Sequence, residues 1–292
     1  MRLFALTALT MVAFASNSVL NRAALTLGGI DAVSFGVIRL MAGAFILGAL
    51  VYALRGRVRL GGAGRWIGVC ALLLYIFGFS LAYEALDAGL GALILFGVVQ
   101  ITMFAGGMVQ REPMPPRRAV GASLAFGGLV WLLWPGTGPQ ISALHGGLMA
   151  LAGIGWGLYS LAGRREGDAL SGTAANFILA GPVALLVAGL VPHGALSDAA
   201  FSGIALAIVS GAITSGLGYA LWYHVLPGLA ASSAAVAQLT VPIIAMAGGI
   251  LFLGEALTRD FAMAAIVILG GVAISVLPGK ASDQGSARTP RE

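Results

Sequence analysis

Tyr75, Phe79 and Tyr83 follow one another at four-residue intervals inside an apolar run, and Ser215, Tyr219 and Tyr223 repeat that interval further along. Four-residue spacing puts each set on one helix face. Trp156 and Tyr159 share a face three residues apart, and Thr10, Phe14, Asn17 and Asn21 form the corresponding face near the start. Gln100 and Gln238 stand about 10 and 8 residues into their own apolar runs, close to mid-membrane at a rise of about 1.5 Å per residue. These groups suit binding rather than bond breaking. The rings offer apolar and cation–π contact, and the amides and hydroxyls offer neutral hydrogen bonds. Gathered on one interior, they would wall a cavity for an amphipathic solute, with its side chain on the rings and its ammonium among hydrogen bonds and ring faces. A sugar nucleotide would fit poorly, since its phosphates call for more than one cation. Packing is the plainer account of the same residues: stripes and amides commonly hold helices together, and for each amide this reading weighs more.

Arg39 is the strongly charged residue near mid-depth, about eight residues into its span. An intramembrane charge is by default a functional group. A substrate carboxylate would satisfy it, and so would carbonyls at helix ends or polar groups of a neighbouring span; the structural role carries more weight. Trp156 lies about 16 Å into its span. There its indole N–H needs a partner, in a cavity or in a packed core.

Glu84 and Asp87 fall at one membrane edge, Glu255 and Asp260 in a turn, and His145, His193 and His224 near interfaces. A carboxylate relay for protons or sodium is therefore unsupported, and no cofactor or metal is expected. A membrane-embedded enzyme, the rival from another class, would need paired carboxylates or a nucleophile with its base at depth. A channel would not require two opposed halves around a closed site.

The elements that must position these groups are membrane helices. The chain has 292 residues, 59% hydrophobic and 9% charged, with mean hydropathy +0.97. Soluble domains carry roughly 25% charged residues. Apolar runs near 20 residues without alternation predict helices rather than barrel strands. The 44 glycines suit close helix contact, and the single cysteine, Cys70, leaves no partner for an intrachain disulfide. Spans are predicted at 3–27, 32–54, 66–86, 90–109, 119–134, 145–163, 173–191, 201–223, 230–253 and 261–277. Pro182 and Pro242 fall inside spans and should bend them, with Pro242 a candidate hinge above Gly248-Gly249. Trp66 and Trp222 fit a cytoplasmic aromatic belt, and Trp131 and Trp134 an outer one.

Alternate connections carry the cations: Arg55, Arg57, Arg59 and Arg65, then Arg111, Arg117 and Arg118, then Arg164 and Arg165. The positive-inside rule puts both termini in the cytoplasm of a bacterial-type inner membrane. The net charge of +5 is thus topology, and no nucleic-acid partner is expected. Met1–Ser16 resembles a cleavable signal peptide, but its apolar stretch runs on to Ala24, and Phe14–Arg22 has a counterpart in span six. The stretch 280–292 is polar and reads as a disordered cytoplasmic tail.

That counterpart belongs to a repeat. Gly78, Leu81, Tyr83 and Leu86 return 140 positions later as Gly218, Leu221, Tyr223 and Leu226. At an offset of 143, Glu112 falls on Glu255, Gly127-Gly128 on Gly270-Gly271, and Pro135-Gly136 on Pro278-Gly279. Residues 1–140 and 141–279 are two copies of one unit. Five spans per copy is odd, so the second copy lies upside down. The fold class predicted is an all-α integral membrane protein with ten transmembrane helices as a 5+5 inverted-topology repeat, an alternating-access arrangement with its site at the seam.

The AVSFGVIRLMAGA segment around Arg39, Trp156-Gly157 at the start of the second repeat, and Pro242 followed by LFLGE at 251–255 resemble, in order, the drug/metabolite transporter superfamily in its EamA-type branch. Val99 and Arg111-Glu112 depart from the pattern in the first copy. The resemblance implies export of small metabolites, with amino-acid and aromatic amino-acid exporters among its members. The expected cavity comprises Asn17, Arg39, Tyr75, Phe79, Tyr83, Gln100, Trp156, Tyr159, Ser215, Tyr219 and Gln238. The expected partners are a small-molecule substrate and the lipid bilayer.

Overall fold

A computed structural model describes residues 1–62, 64–111, 116–134, 142–163, 167–191, 194, 199–229 and 237–276. Every regular element among them is helical: α1 (Arg2–Thr26), α2 (Ala32–Arg55), α3 (Arg65–Ala82), α4 (Ala88–Val109), α5 (Pro116–Leu133), α6 (Ala143–Gly163), α7 (Ala169–Leu190), α8 (Phe201–Gly228), α9 (Val241–Leu253) and α10 (Arg259–Val276). Seven of these, α1–α4 and α6–α8, are long and apolar enough to cross a membrane. Glu112, Pro135-Gly136, Arg164-Arg165, His193, residues 230–236, Pro278-Gly279 and the 280–292 tail lie outside the described residues.

Polarity is distributed as lipid requires. Phe45 is 78% exposed and Phe252 74%, whereas Asn21, Arg39 and Ser215 are at 0%. Apolar side chains face outward into the hydrocarbon, and polar side chains gather inside, where hydrogen bonds join Asn21 to Ser80 and Arg39 to Ser215. The main packing pairs are α2 with α7, α4 with α9 and α5 with α10; α3 packs on α6 and α7, α1 on α8 and α9, α2 on α8, and α4 on α6. Small residues let α3 and α6 meet backbone to backbone. A Cβ on Gly155 would stand 2.7 Å from the Tyr75 nitrogen and 2.8 Å from the Ala71 oxygen. That contact sets Tyr75 opposite Trp156.

Helix ends are fixed locally. Asp31 Oδ1 accepts from the nitrogens of Val33 (3.0 Å) and Ser34 (2.9 Å), capping α2. Asp168 caps α7 through the Ser171 nitrogen and pairs with Arg55 at 3.3 Å, tying the end of α2 to the start of α7. Gly254 closes α9 at φ +68°, a left-handed conformation that glycine adopts without strain. The turn delivers Glu255 to another helix. Its two carboxylate oxygens accept from the Ala88 nitrogen at 2.8 and 3.0 Å, capping α4 across the fold. Arg22 binds the carbonyls of Tyr83 (2.9 Å) and Glu84 (3.0 Å) beside it.

Burial holds the Glu255 carboxyl above the usual carboxylate range, with the Ala88 N–H bond opposing that rise and Asp87 adding to it. A carboxyl raised on folding makes the native state the tighter proton binder. Stability therefore falls as pH rises from the ordinary carboxylate value toward the raised one. Glu255→Gln keeps an acceptor for Ala88 and should flatten that pH dependence without loss of stability at neutral pH. Glu255→Ala leaves the cap empty and should cost about 1–2 kcal/mol. Melting curves of the purified variants across pH check both outcomes.

One expectation is corrected. Pro242 does not bend a continuous helix: Ala237 and Gln238 are helical, Leu239 and Thr240 form a turn, and α9 begins at Val241. Proline in a first turn removes no helix hydrogen bond, so the break precedes the proline and no kink is centred on it.

Candidate functional site

Five helices converge on a narrow cleft lined by Phe14, Asn17 and Ser18 of α1, Tyr75 and Phe79 of α3, Leu95 and Phe96 of α4, Trp156 of α6 and Tyr219 of α8. Trp156 is the hub of its walls. Its ring lies 4.9 Å from that of Tyr75, 5.1 Å from Tyr219 and 6.4 Å from Phe14, and stacks on Tyr159 at 5.5 Å and 21°. Each such pair contributes about 0.5–1.5 kcal/mol beyond burial. The open space holds about one water molecule. Anything larger than a water molecule enters only after the helices separate.

Behind the rings runs one polar network. Asn17 Oδ1 accepts from the hydroxyls of Ser210 (2.9 Å), Thr214 (2.7 Å) and Ser215 (3.1 Å). The Ser215 oxygen in turn accepts from Arg39 Nε at 3.0 Å, and Arg39 Nη2 donates to the Tyr75 hydroxyl at 3.0 Å. Phe79 and Tyr75 present their rings to the guanidinium at 5.0 and 5.3 Å. The network joins α1, α2, α3 and α8. Its oxygens resemble a sodium cage in number, but a guanidinium bonded to one of them repels a metal cation.

Local backbone geometry makes the network possible. At about 100° per residue, an α-helix would turn the fifth residue along roughly 140° away from the first. Residues Ser210–Leu217 are instead π-helical. The wider turn brings Ser210, Thr214 and Ser215 to one face, a device often found at functional sites.

Of the residues expected in a cavity, Asn17, Tyr75, Phe79, Trp156 and Tyr219 line the cleft. Arg39, Tyr159 and Ser215 sit directly behind it, each bonded to or stacked on a lining residue. Tyr83 does not face it: α3 ends at Ala82, and the Tyr83 hydroxyl donates to the Ala88 carbonyl at 3.1 Å. Gln100 and Gln238 are half-buried and do not line it. Sequence reasoning missed Leu95 and Phe96, which carry no periodic signal, and Ser18, which stands four residues after Phe14 on the same face. It also missed Ser210 and Thr214, which join Ser215 on one face only in the π-helical geometry.

Residues 146–277 match the sequence model of the EamA-like transporter family. An uncharacterized protein of Pseudomonas aeruginosa is 46% identical over 290 residues, which span 98% of this chain and 99% of its own. A solved crystal structure superposes with a TM-score of 0.66 at 16% identity, over 93% of this chain and 96% of its own. At that identity the likeness speaks for the fold alone.

Proposed function

Because the chain belongs to the EamA-like transporter family, a multi-pass membrane family of small-solute carriers, we propose that it exports amino acids, aromatic ones among them, by alternating access. The carrier is a 5+5 inverted repeat in the inner membrane, with both termini cytoplasmic and its binding site at the seam. Helix packing supports the inversion. Exchanging every helix for the one five places along turns the α3–α6 contact into α1–α8, α4–α6 into α1–α9 and α3–α7 into α2–α8. The pairs α2–α7, α4–α9 and α5–α10 return to themselves. Two halves that exchange conformations in this way have an inward and an outward state of similar energy.

The observation that carries the substrate reading is the aromatic cleft: six aromatic side chains with neutral hydrogen-bonding groups between them. Rings accept an apolar side chain and the ammonium of a zwitterion alike. A second amphipathic metabolite or drug fits the rings as well, and the test carries both.

Counterflow in proteoliposomes against an amino-acid panel, with an amphipathic amine beside it, is expected to exchange aromatic amino acids. Trp156→Ala should lower that exchange at least about tenfold, the equivalent of ~1.4 kcal/mol of binding. Trp66→Ala, at a side chain 64% exposed, should leave it unchanged. Exchange of the amine alone would replace the amino-acid reading, and exchange of nothing would end it.

A further inference from the structure

The guanidinium of Arg39 is fully buried and has no carboxylate partner among the described residues, whose ion pairs are Arg22–Asp87 and Arg55–Asp168. Its Nε and Nη2 donate to neutral hydroxyls, and Nη1 has no hydrogen-bond partner. A buried charge without a counter-charge is costly, and two ring faces offset only part of that cost. The same corner holds a second unsatisfied group. The Tyr219 hydroxyl is buried and makes no hydrogen bond. Both tyrosine rings line the cleft.

We propose that Arg39 and the hydroxyl of Tyr219 form the subsite for a carboxylate of the transported solute, a place that the Tyr75 hydroxyl fills in the closed cleft. The inference rests on the transport reading above and sharpens it, because it makes the anionic group, rather than the ammonium, the required one. In the closed cleft the Tyr75 hydroxyl stands where a carboxylate oxygen would sit, as a neutral acceptor for Nη2. An entering carboxylate takes Nη1, which is free, and the Tyr219 hydroxyl as a second donor. It then competes with Tyr75 for Nη2, giving the paired geometry that a guanidinium fork favours. One guanidinium matches one negative charge, so the subsite takes monocarboxylates and not polyphosphates. The solute's charge supplies what the empty protein lacks, so binding should tie α2 to α8 through Arg39 and Tyr219.

Two sources of the carboxylate remain, a zwitterionic amino acid and a simple aryl acid, and the test separates them. Binding to the purified full chain is read from tryptophan fluorescence, with L-phenylalanine, 3-phenylpropionate and 2-phenylethylamine as probes. At least one carboxylate probe is expected to bind at least about tenfold more tightly than the amine, a preference of ~1.4 kcal/mol. Arg39→Lys keeps the charge but not the fork and should weaken carboxylate binding while retaining the preference. Arg39→Gln should abolish the preference. Tyr219→Phe removes one hydroxyl without touching the charge, and should weaken the carboxylate probes severalfold and leave the amine unchanged; it serves if Arg39→Gln does not yield monodisperse protein. Tyr75→Phe should leave carboxylate affinity equal or higher. The proposal is overturned if the amine binds as well as the tighter of the two carboxylates. It is equally overturned if a folded Arg39→Gln keeps the preference, or if neither carboxylate binds. Exchange of a solute without a carboxylate in the counterflow assay would overturn this subsite and leave the carrier standing, whereas absence of all exchange would remove the carrier.

Discussion

Gly155→Val is expected to separate α3 from α6 and abolish both the monodisperse protein and its transport. The atoms that a Cβ would strike are backbone: the Tyr75 nitrogen at 2.7 Å, the Ala71 oxygen at 2.8 Å and the Tyr75 Cα at 3.2 Å. A flexible side chain could swing away, but a helix backbone moves only as a whole. Gly78 makes the reciprocal approach, to the Leu148 oxygen at 2.9 Å and the Ala152 Cβ at 3.3 Å. Valine would therefore open the interface along at least two turns. Overpacking of this kind costs about 1–3 kcal/mol in a soluble core. In lipid no hydrophobic force draws the helices back together, so lost contact is lost stability. The damage also lands on the site, because Tyr75 is the struck residue and Trp156 the next one along. A Cβ added to Gly147, in the same helix, would meet nothing within 4 Å, and Gly147→Ala should be silent. Size-exclusion profiles and counterflow of the two variants make the comparison, and an active, monodisperse Gly155→Val would refute this account of the α3–α6 seam.

What is legible in the sequence follows from which interactions are periodic. Lipid-facing runs are long and local, so most spans appear close to their predicted bounds. The Tyr75–Phe79 part of the aromatic stripe also reads correctly as one face, because α3 is an ordinary helix as far as Ala82. Tyr83 continues the four-residue interval, yet the helix has ended and the side chain turns to Ala88. The interval alone carries no sign of that ending. Glu255 reads from the sequence as a turn residue whose simple role is capping, but the helix it caps is α4, 167 residues away. The most instructive miss is the π-helical stretch of α8. On an α-helical wheel Ser215 stands about 140° from Ser210, and the change of helix type brings it beside Ser210 and Thr214 on Asn17. Pro242 shows the reverse case, where hydropathy alone sets a helix-breaking residue in the middle of a span. The fold puts it in a first turn, the position at which proline does least harm.

Asn17 is the residue at which stability and transport should part company. Its Oδ1 is the shared acceptor for three hydroxyls of α8, and Ser215 relays that contact to Arg39. Asn17→Ala removes the acceptor. Thr214 can fall back on the Ser210 carbonyl, to which it is already bonded at 3.1 Å, and serines can turn to carbonyls of their own helix. Interhelical hydrogen bonds in membranes average about 0.6 kcal/mol, so a loss of about 2 kcal/mol is expected in all. Transport should fall with stability. Asn17→Asp changes the sign of one of these effects. A carboxylate accepts the same three hydroxyls with charge-assisted bonds, worth about 1.5–3 kcal/mol each before desolvation. It also brings a negative charge to the far side of Ser215 from the guanidinium, supplying the counter-charge that Arg39 lacks. The folded protein should then melt no lower than the parent, while transport falls at least about tenfold, because the cation that draws a carboxylate into the cleft is already neutralised. A loss of function accompanied by a loss of stability would point to simple misfolding. Full transport by Asn17→Asp would mean that the charge of Arg39 is not what the solute recognises, and the polar network would then be a clasp between α1, α2, α3 and α8 and nothing more.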